Sequence, residues 1–247
     1  MRQCPSAFST FYRWLIFFGI ALFGAIAALA NGLIENLLQA DESYLSGVII
    51  VMLLLASLDA GRRAYRLGVE LCQAQRITER ADDPRPLFAA DPETGVAYAA
   101  GQDETSHAHT HLLLLANKTY RNGALCAQDL LLERLEHVLG RGHETGWFIA
   151  DLMIRLGLLG TVIGFIFMLG SVANVASVDI HALQQLLTNM SGGMRIALYT
   201  TLTGLCGGIV LGFQYRMLDS GVDRLMAEII ELSEVHATAH LRRLVAK

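Results

Sequence analysis

Two long stretches without a charged side chain constrain this sequence more than any other feature. They cover Leu156–Val178 and Ile196–Tyr215. Each stretch is long enough to cross a bilayer as one α-helix. Residues 179–195 connect them, so we predict a hairpin of two membrane-spanning helices.

Both stretches carry glycines at helical spacing. They are Gly157, Gly160 and Gly164 in the first stretch, and Gly204, Gly208 and Gly212 in the second. Small residues one helical turn apart allow two helix backbones to approach closely. Because one protomer is not expected to satisfy all these faces, the glycines also predict helix packing between copies of the chain.

Hydroxyl groups lie among these glycines, near the middle of the predicted spans. Thr161 is in the first span, and Thr200, Thr201 and Thr203 are in the second. A polar group without a partner is costly at that depth. The hairpin is therefore either a tightly packed core, in which each hydroxyl bonds back to its own helix, or the wall of a hydrated path.

Composition and hydropathy extend this interpretation to the whole chain. The 247 residues are 53% hydrophobic and 17% charged, which is too apolar for a typical soluble domain. We predict an all-α polytopic membrane protein with four spans. The spans are about Trp14–Ile34, Tyr44–Leu58, Leu156–Val178 and Ile196–Tyr215.

The basic residues predict the orientation of these spans. Of the 19 Lys and Arg, only Arg195 falls in a segment that this topology places outside. The outer loops instead carry acidic residues, namely Glu35, Asp41, Glu42 and Asp179. By the positive-inside rule both termini face the cytoplasm.

Four regions follow from the spans. Residues 1–60 form an N-terminal transmembrane hairpin, and residues 61–145 form a cytoplasmic helical region with a Pro-rich loop at 82–101. Residues 146–215 form the core hairpin, and residues 216–247 form a C-terminal cytoplasmic amphipathic helix. The cysteines are scattered and predict neither a disulfide framework nor a zinc site; they are Cys4, Cys72, Cys126 and Cys206.

A family resemblance rests on the two core stretches. GLLGTVIGFI at Gly157–Ile166, followed by ALYTTLTGL at Ala197–Leu205, resembles the paired core helices of MotA/TolQ/ExbB proton-channel subunits. The resemblance covers roughly the last hundred residues. It implies a homo-oligomeric ring, a pentamer, in the bacterial inner membrane, with Thr161 and Thr201 lining an ion pathway.

The resemblance also implies a partner. Neither core stretch contains Asp, Glu, His or Lys, so this chain lacks a carboxylate at mid-membrane. In the resembled family a single-span subunit of the MotB/TolR/ExbD type supplies that aspartate, and flow of H⁺ or Na⁺ drives mechanical work. The alternative is a passive four-span membrane scaffold. No catalytic motif, cofactor motif or basic nucleic-acid-binding run is evident.

An Asp/Arg pair and a run of three histidines are further candidate functional residues. Asp151 and Arg155, four residues apart at the cytoplasmic end of the third span, are either a structural ion pair or a cytoplasmic ion exit. His107, His109 and His111 alternate along the chain, and we interpret them as solvated residues of a surface linker, with no bound metal.

Overall fold

The computed structural model describes residues 7–32, 44–83, 85–91, 95–98, 106–125, 127–173 and 180–245. The elements in that part of the chain are α1 Ser9–Ala30, α2 Leu45–Ala81, β1 Phe88–Asp91, β2 Gly95–Tyr98, α3 His107–Asn122, α4 Asp129–Ala173, α5 Ile180–Glu231, a π-helix Leu232–His236 and α6 Thr238–Val245. Several predicted features lie outside the described residues: Cys4, Cys126, the four acidic residues of the outer loops, and the outer ends of the first and third spans.

Four helices are long and apolar enough to cross a membrane. They are Ser9–Ala30, Leu45–Ala81, Asp129–Gly170 and Leu186–His236. Only 6% of the apolar window of α1 is buried within the chain. A helix with that surface requires hydrocarbon or another apolar protein surface around it. The chain is therefore a multi-pass membrane protein, and in its described ranges the regular structure is helical apart from one short β-hairpin.

The chain divides into two compact units. Trp14–Gly61 and Glu144–Arg216 form the first, which we call the apolar unit. Met1–Arg13, Arg62–His143 and Met217–Lys247 form the second, which we call the charged unit.

Aromatic rings attach α1 to the other helices of the apolar unit. Trp14 stacks on Phe18 with the ring centroids 5.1 Å apart, and its indole covers Gly61 of α2, where a Cβ would collide. Phe17 stacks on Phe213 of α5 at 4.6 Å. Large rings supply most of the contact surface at such positions.

The charged unit has an aliphatic core that its helices share. Buried residues of this core include Leu71 of α2, Leu112 of α3, Leu225 and Ile229 of α5, and Leu241 of α6. Each lies at the helical spacing that places apolar residues on one face. Burial of such a side chain contributes about 1.5–3 kcal/mol, so this unit folds around its apolar side chains.

The predicted Pro-rich loop at 82–101 contains a β-hairpin, which the sequence did not indicate. Strands β1 and β2 pair antiparallel, with Phe88 opposite Tyr98. The Asn117 side-chain oxygen accepts a hydrogen bond from the Val96 N–H at 2.9 Å and ties the hairpin to α3. Four-residue strands are too short to show a period-two pattern, and the prolines and glycines around them are typical of loops.

The C-terminal segment also differs from the prediction of one continuous amphipathic helix. Helix α5 ends at Glu231, and the π-helix at Leu232–His236 separates it from α6. The Ala237 N–H donates to the Leu232 carbonyl at 2.8 Å, which is the i to i+5 bond of a π-turn. The extra residue rotates the helical register. The spacing of apolar residues alone could not reveal this change.

Candidate functional site

The α4/α5 hairpin brings two helix backbones into direct contact. A Cβ added at Gly157 would lie 3.1 Å from the Thr200 carbonyl oxygen and 3.2 Å from the Gly204 Cα. A Cβ at Gly204 would lie 2.7 Å from the Met153 carbonyl oxygen. At Gly204 a side chain would force the backbone of α4 to shift, and at Gly157 a Cβ would be in tight contact with the backbone of α5.

Atoms of α5 also occupy the space beside the next two glycines of α4. The Thr200 side chain occupies the space over Gly160. A Cβ at Gly164 would lie 2.6 Å from the Gly193 carbonyl oxygen and 2.7 Å from the Ala197 nitrogen. Helices α4 and α5 therefore stay in close contact over at least two turns toward the loop that joins them.

Gly208 and Gly212 continue the seam at its other end, but less tightly. A Cβ at Gly208 would meet the Ile154 side chain at 2.6 Å, whereas one at Gly212 would meet only the Trp147 ring at 3.6 Å. All six predicted glycines thus have neighbours within this chain. The expectation that one protomer could not satisfy them was wrong, because Thr200, Gly193 and Met153 complete the seam.

The hydroxyls of the four threonines considered above, Thr161, Thr200, Thr201 and Thr203, all donate to backbone carbonyls. Thr161 donates to the Leu158 oxygen at 2.5 Å. Thr201 donates to the Ala197 oxygen at 3.0 Å, and it also lies 3.2 Å from the Gly157 oxygen of α4. Thr161 and Thr201 are half-buried, so their oxygen lone pairs remain able to accept a hydrogen bond.

Thr200 and Thr203 occupy different positions from this pair. Thr200 is fully buried in the α4/α5 seam and donates to the Ile196 oxygen at 2.9 Å. Thr203 donates to the Tyr199 oxygen at 2.8 Å. The burial of Thr200 against Gly160 gives it a packing contact between the helices.

Asp151 and Arg155 form an ion pair on α4. The Arg155 guanidinium nitrogen lies 2.5 Å from the Asp151 carboxylate oxygen, and both side chains are more than half exposed. Exposure limits what such a pair contributes to stability. The geometry provides a charged patch ten residues before Thr161 on the same helix.

A buried polar pair in the apolar unit was missed by the sequence interpretation. The Ser57 hydroxyl of α2 donates to the Gln214 amide oxygen of α5 at 2.9 Å, and both residues are at most 2% exposed. The Gln214 amide nitrogen has no hydrogen-bond partner among the described residues. An amide within an otherwise apolar span was the signal that could have indicated it.

The predicted solvated histidines instead belong to helix α3. Ser106 caps that helix by accepting the His109 N–H at 3.0 Å. His111 is only 3% exposed, so its assignment to a solvated linker was wrong. Burial lowers the pKa of His111, and its hydrogen bond to Gln128 acts in the opposite direction.

The described residues show two free cysteines and no metal-binding cluster. Cys72 is buried and Cys206 is exposed. No group of three or more His, Cys, Asp or Glu in the described ranges is arranged to hold a metal ion.

These features define a multi-pass membrane protein whose central hairpin packs backbone against backbone and carries threonines among glycines. Residues 113–231 match the family model described as the MotA/TolQ/ExbB proton channel family. That range contains all of α4 and α5, so the similarity to this family covers both core helices. No curated protein and no solved structure matches the chain.

Proposed function

We propose that this chain is a ring-forming channel subunit of a proton- or sodium-driven membrane motor. The observation that carries the proposal is the family match over 113–231, which covers both core helices and both threonines of the predicted pathway. In this proposal α4 and α5 surround a central lumen. The ring converts ion flow into mechanical work through a partner inside it.

Thr161 and Thr201 supply the polar surface of the pathway. Each hydroxyl hydrogen is engaged by a backbone carbonyl, so each oxygen is oriented to accept from water or to contact a cation. A mid-span hydroxyl replaces part of an ion's hydration without the cost of burying a full charge. Asp151 and Arg155 are the proposed cytoplasmic exit, about 15 and 9 Å from Thr161 along α4 at 1.5 Å per residue.

The titrating group comes from a partner. Residues 156–178 and 196–215 contain no Asp, Glu, His or Lys, whereas proton-coupled membrane proteins usually carry such a group within a span. By the family resemblance, a single-span subunit of the MotB/TolR/ExbD type places one aspartate inside a pentameric ring of this chain.

The mass of the intact complex tests the assembly. The chain is co-expressed with any flanking single-span protein, extracted in mild detergent and measured by native mass spectrometry. We expect five copies of the 27.0 kDa chain, with additional mass from the partner. A complex that remains a monomer with and without the flanking protein would contradict the ring.

A passive membrane scaffold is the second candidate. The observation that favours it is that the four threonine hydroxyls considered above all donate to backbone carbonyls, as they would if they served only packing. The scaffold requires no ion flux, so flux through the purified complex separates the two candidates.

The orientation proposal places both termini in the cytoplasm of a bacterial cell, with the chain in the inner membrane. It rests on the near absence of basic residues from the segments placed outside. In a background without the four native cysteines, Ser43→Cys and Ser177→Cys should react with a membrane-impermeant thiol reagent in intact cells. His137→Cys, which is exposed on α4, should react only after permeabilisation.

His137 is a better cytoplasmic probe than a position in the β-hairpin. Gly95 has a φ of 104°, and a Cβ there would lie 2.5 Å from the Asn117 side-chain oxygen, so a cysteine would strain the turn. Labelling of His137→Cys in intact cells would reverse the proposed orientation. Residues 43 and 177 are outside the described part of the chain and serve only as loop markers.

A further inference from the structure

A cavity of about 370 Å³ lies within the charged unit. Residues of α2, α3, α4 and α5 line it, and its charged or titratable lining residues are Arg63, Arg66, Glu70, His107 and His143. Its volume is at the lower end of the range for small-molecule sites. None of its lining residues belongs to the glycine seam of α4 and α5.

Two arginines dominate one wall of the cavity. Arg63 and Arg66 are three residues apart on α2 and therefore share a helix face. The Arg63 guanidinium occupies the space over Gly142 of α4, where any Cβ would collide. The absence of a side chain at Gly142 thus makes room for a cation at the cavity wall.

The one lining carboxylate is already engaged. Glu70 accepts the backbone N–H of His107 at 2.9 Å, at the first turn of α3. His143 also lines the cavity, and its Nδ1 lies 2.7 Å from the Asp219 carboxylate, which holds the ring in place. The lining thus carries two guanidinium groups and one carboxylate, and that carboxylate is held by the α3 backbone.

Apolar side chains also line the cavity. They include Leu67 of α2, Leu139 of α4 and Leu225 of α5. Arginine guanidinium groups bind phosphate oxygens in a bidentate geometry, and an apolar wall beside them suits a ligand that joins a phosphate to hydrocarbon.

The position along α2 agrees with that chemistry. Arg63 and Arg66 follow Leu58, the last residue of the predicted second span, by five and eight residues. At 1.5 Å per residue they lie about 7 and 12 Å beyond it along the helix, which is near the headgroup layer of a bilayer. Basic pockets at this depth are typical sites for phospholipid headgroups.

We propose that this cavity binds the phosphate group of an anionic ligand through Arg63 and Arg66. The phosphate is carried by a phospholipid headgroup or is free in solution, and the two sources share the same recognition chemistry. The proposal does not depend on ion transport, so it stands or falls separately from the motor function.

The test uses the purified full chain in detergent and Arg66→Gln. Arg66 is exposed, so the substitution should not disturb folding, and circular dichroism checks this. Arg62→Gln is the matched control, because Arg62 is exposed at nearly the same depth but does not line the cavity. Retained phosphatidylglycerol is counted by native mass spectrometry, with phosphatidylcholine as the zwitterionic comparison.

We expect Arg66→Gln to weaken phosphatidylglycerol retention about ten-fold, the effect of losing one charge-assisted contact, and Arg62→Gln to leave it unchanged. A parallel thermal-shift measurement with inorganic phosphate, against chloride at equal ionic strength, identifies the source. If phosphate stabilises the wild type but not Arg66→Gln while the lipid does not discriminate, the source is soluble phosphate. Equal losses in both variants, or no loss in Arg66→Gln with either ligand, would overturn the proposal.

Discussion

The apolar and charged units of this chain are stabilised in opposite ways. In the apolar unit the helix contacts run through glycine backbones, and large residues such as Phe165, Leu198 and Ile209 remain exposed. In the charged unit a cluster of leucines and isoleucines is buried, and most charged side chains are exposed or half-buried. Of the 19 Lys and Arg, only Arg155, Arg195 and Arg216 belong to the apolar unit.

This contrast reflects the solvent for which each unit is suited. In water, burial of apolar surface drives folding. Between lipid tails that gain disappears, so helices associate through close packing and a few polar contacts. Substitutions that add a side chain at the glycine seam should therefore destabilise the apolar unit more than any others. Substitutions of polar side chains should change stability less, by an amount that depends on how buried the side chain is.

The largest expected effect is that of Gly204→Leu. A side chain there must displace the Met153 carbonyl and the Gly157 backbone, which cannot shift without separating α4 from α5. We expect a loss of about 3 kcal/mol or more, at the upper end of overpacking costs. Thermal unfolding in detergent, followed by far-UV circular dichroism, measures it.

Gly170→Leu is the control for the seam. Gly170 lies on the same helix as Gly157, and a Cβ there would meet nothing within 4 Å. Leucine should be neutral or slightly stabilising at this site, because glycine is a poor helix former. Equal behaviour of Gly204→Leu and Gly170→Leu would show that the backbone contact of α4 and α5 does not stabilise the apolar unit.

An intermediate effect is expected for the Ser57–Gln214 pair. Ser57→Ala removes the donor to the buried Gln214 amide oxygen and should cost about 1 kcal/mol, between the average for membrane hydrogen bonds and the cost of an unsatisfied buried group. The double variant Ser57→Ala/Gln214→Met should be no less stable than Gln214→Met alone. Strictly additive costs in this cycle would show that the two side chains are not coupled.

The smallest expected effect on stability is the pH dependence that His111 adds to the charged unit. Because burial lowers its pKa, the folded state binds a proton less readily than the unfolded chain, and stability falls as the pH drops through the ordinary histidine value of about 6.5. Melting temperatures at pH 7.5 and 5.5 should therefore differ more for the wild type than for His111→Gln. The comparison with the variant removes the contribution of the other histidines. Identical pH dependence in both proteins would contradict the assigned burial effect.

The long helices of the fold were predictable from the sequence, but its short irregular elements and its side-chain pairings were not. The apolar stretches of the sequence predicted the four long apolar helices. The motifs around Thr161 and Thr201 predicted the similarity to the proton channel family. The β-hairpin was missed because its strands are only four residues long. The π-turn was missed because the spacing of apolar residues around it still resembles that of an α-helix. Pairings such as Ser57 with Gln214 depend on which helices become neighbours. Spacing along one helix does not contain that information.

The same limit explains the glycine seam. The four-residue spacing indicated close packing, but it did not say whether the neighbour was this chain or another copy. The structure fills the seam from within the protomer. In the proposed ring, contacts between copies would then use other surfaces, such as the exposed apolar faces of the helices.

Ion flux tests the central claim, and the two threonines of the predicted pathway, Thr161 and Thr201, provide the variants. The chain, together with any flanking single-span protein that co-purifies with it, is reconstituted in liposomes that contain a pH-sensitive dye, with a sodium indicator in parallel. Thr161→Val/Thr201→Val keeps the shape of both side chains and removes both hydroxyls. Thr203→Val is the matched control, because it removes a half-buried threonine hydroxyl of α5 that is not part of the predicted pathway.

Loss of the two hydroxyls should cost little stability, since interhelical hydrogen bonds in membranes average about 0.6 kcal/mol. Removing polar steps from a narrow ion path should instead block conduction. The account therefore predicts that the double variant assembles to the wild-type mass but carries no flux, while Thr203→Val conducts. A double variant that conducts at the wild-type rate would contradict the account, and a wild-type complex without flux would favour the scaffold.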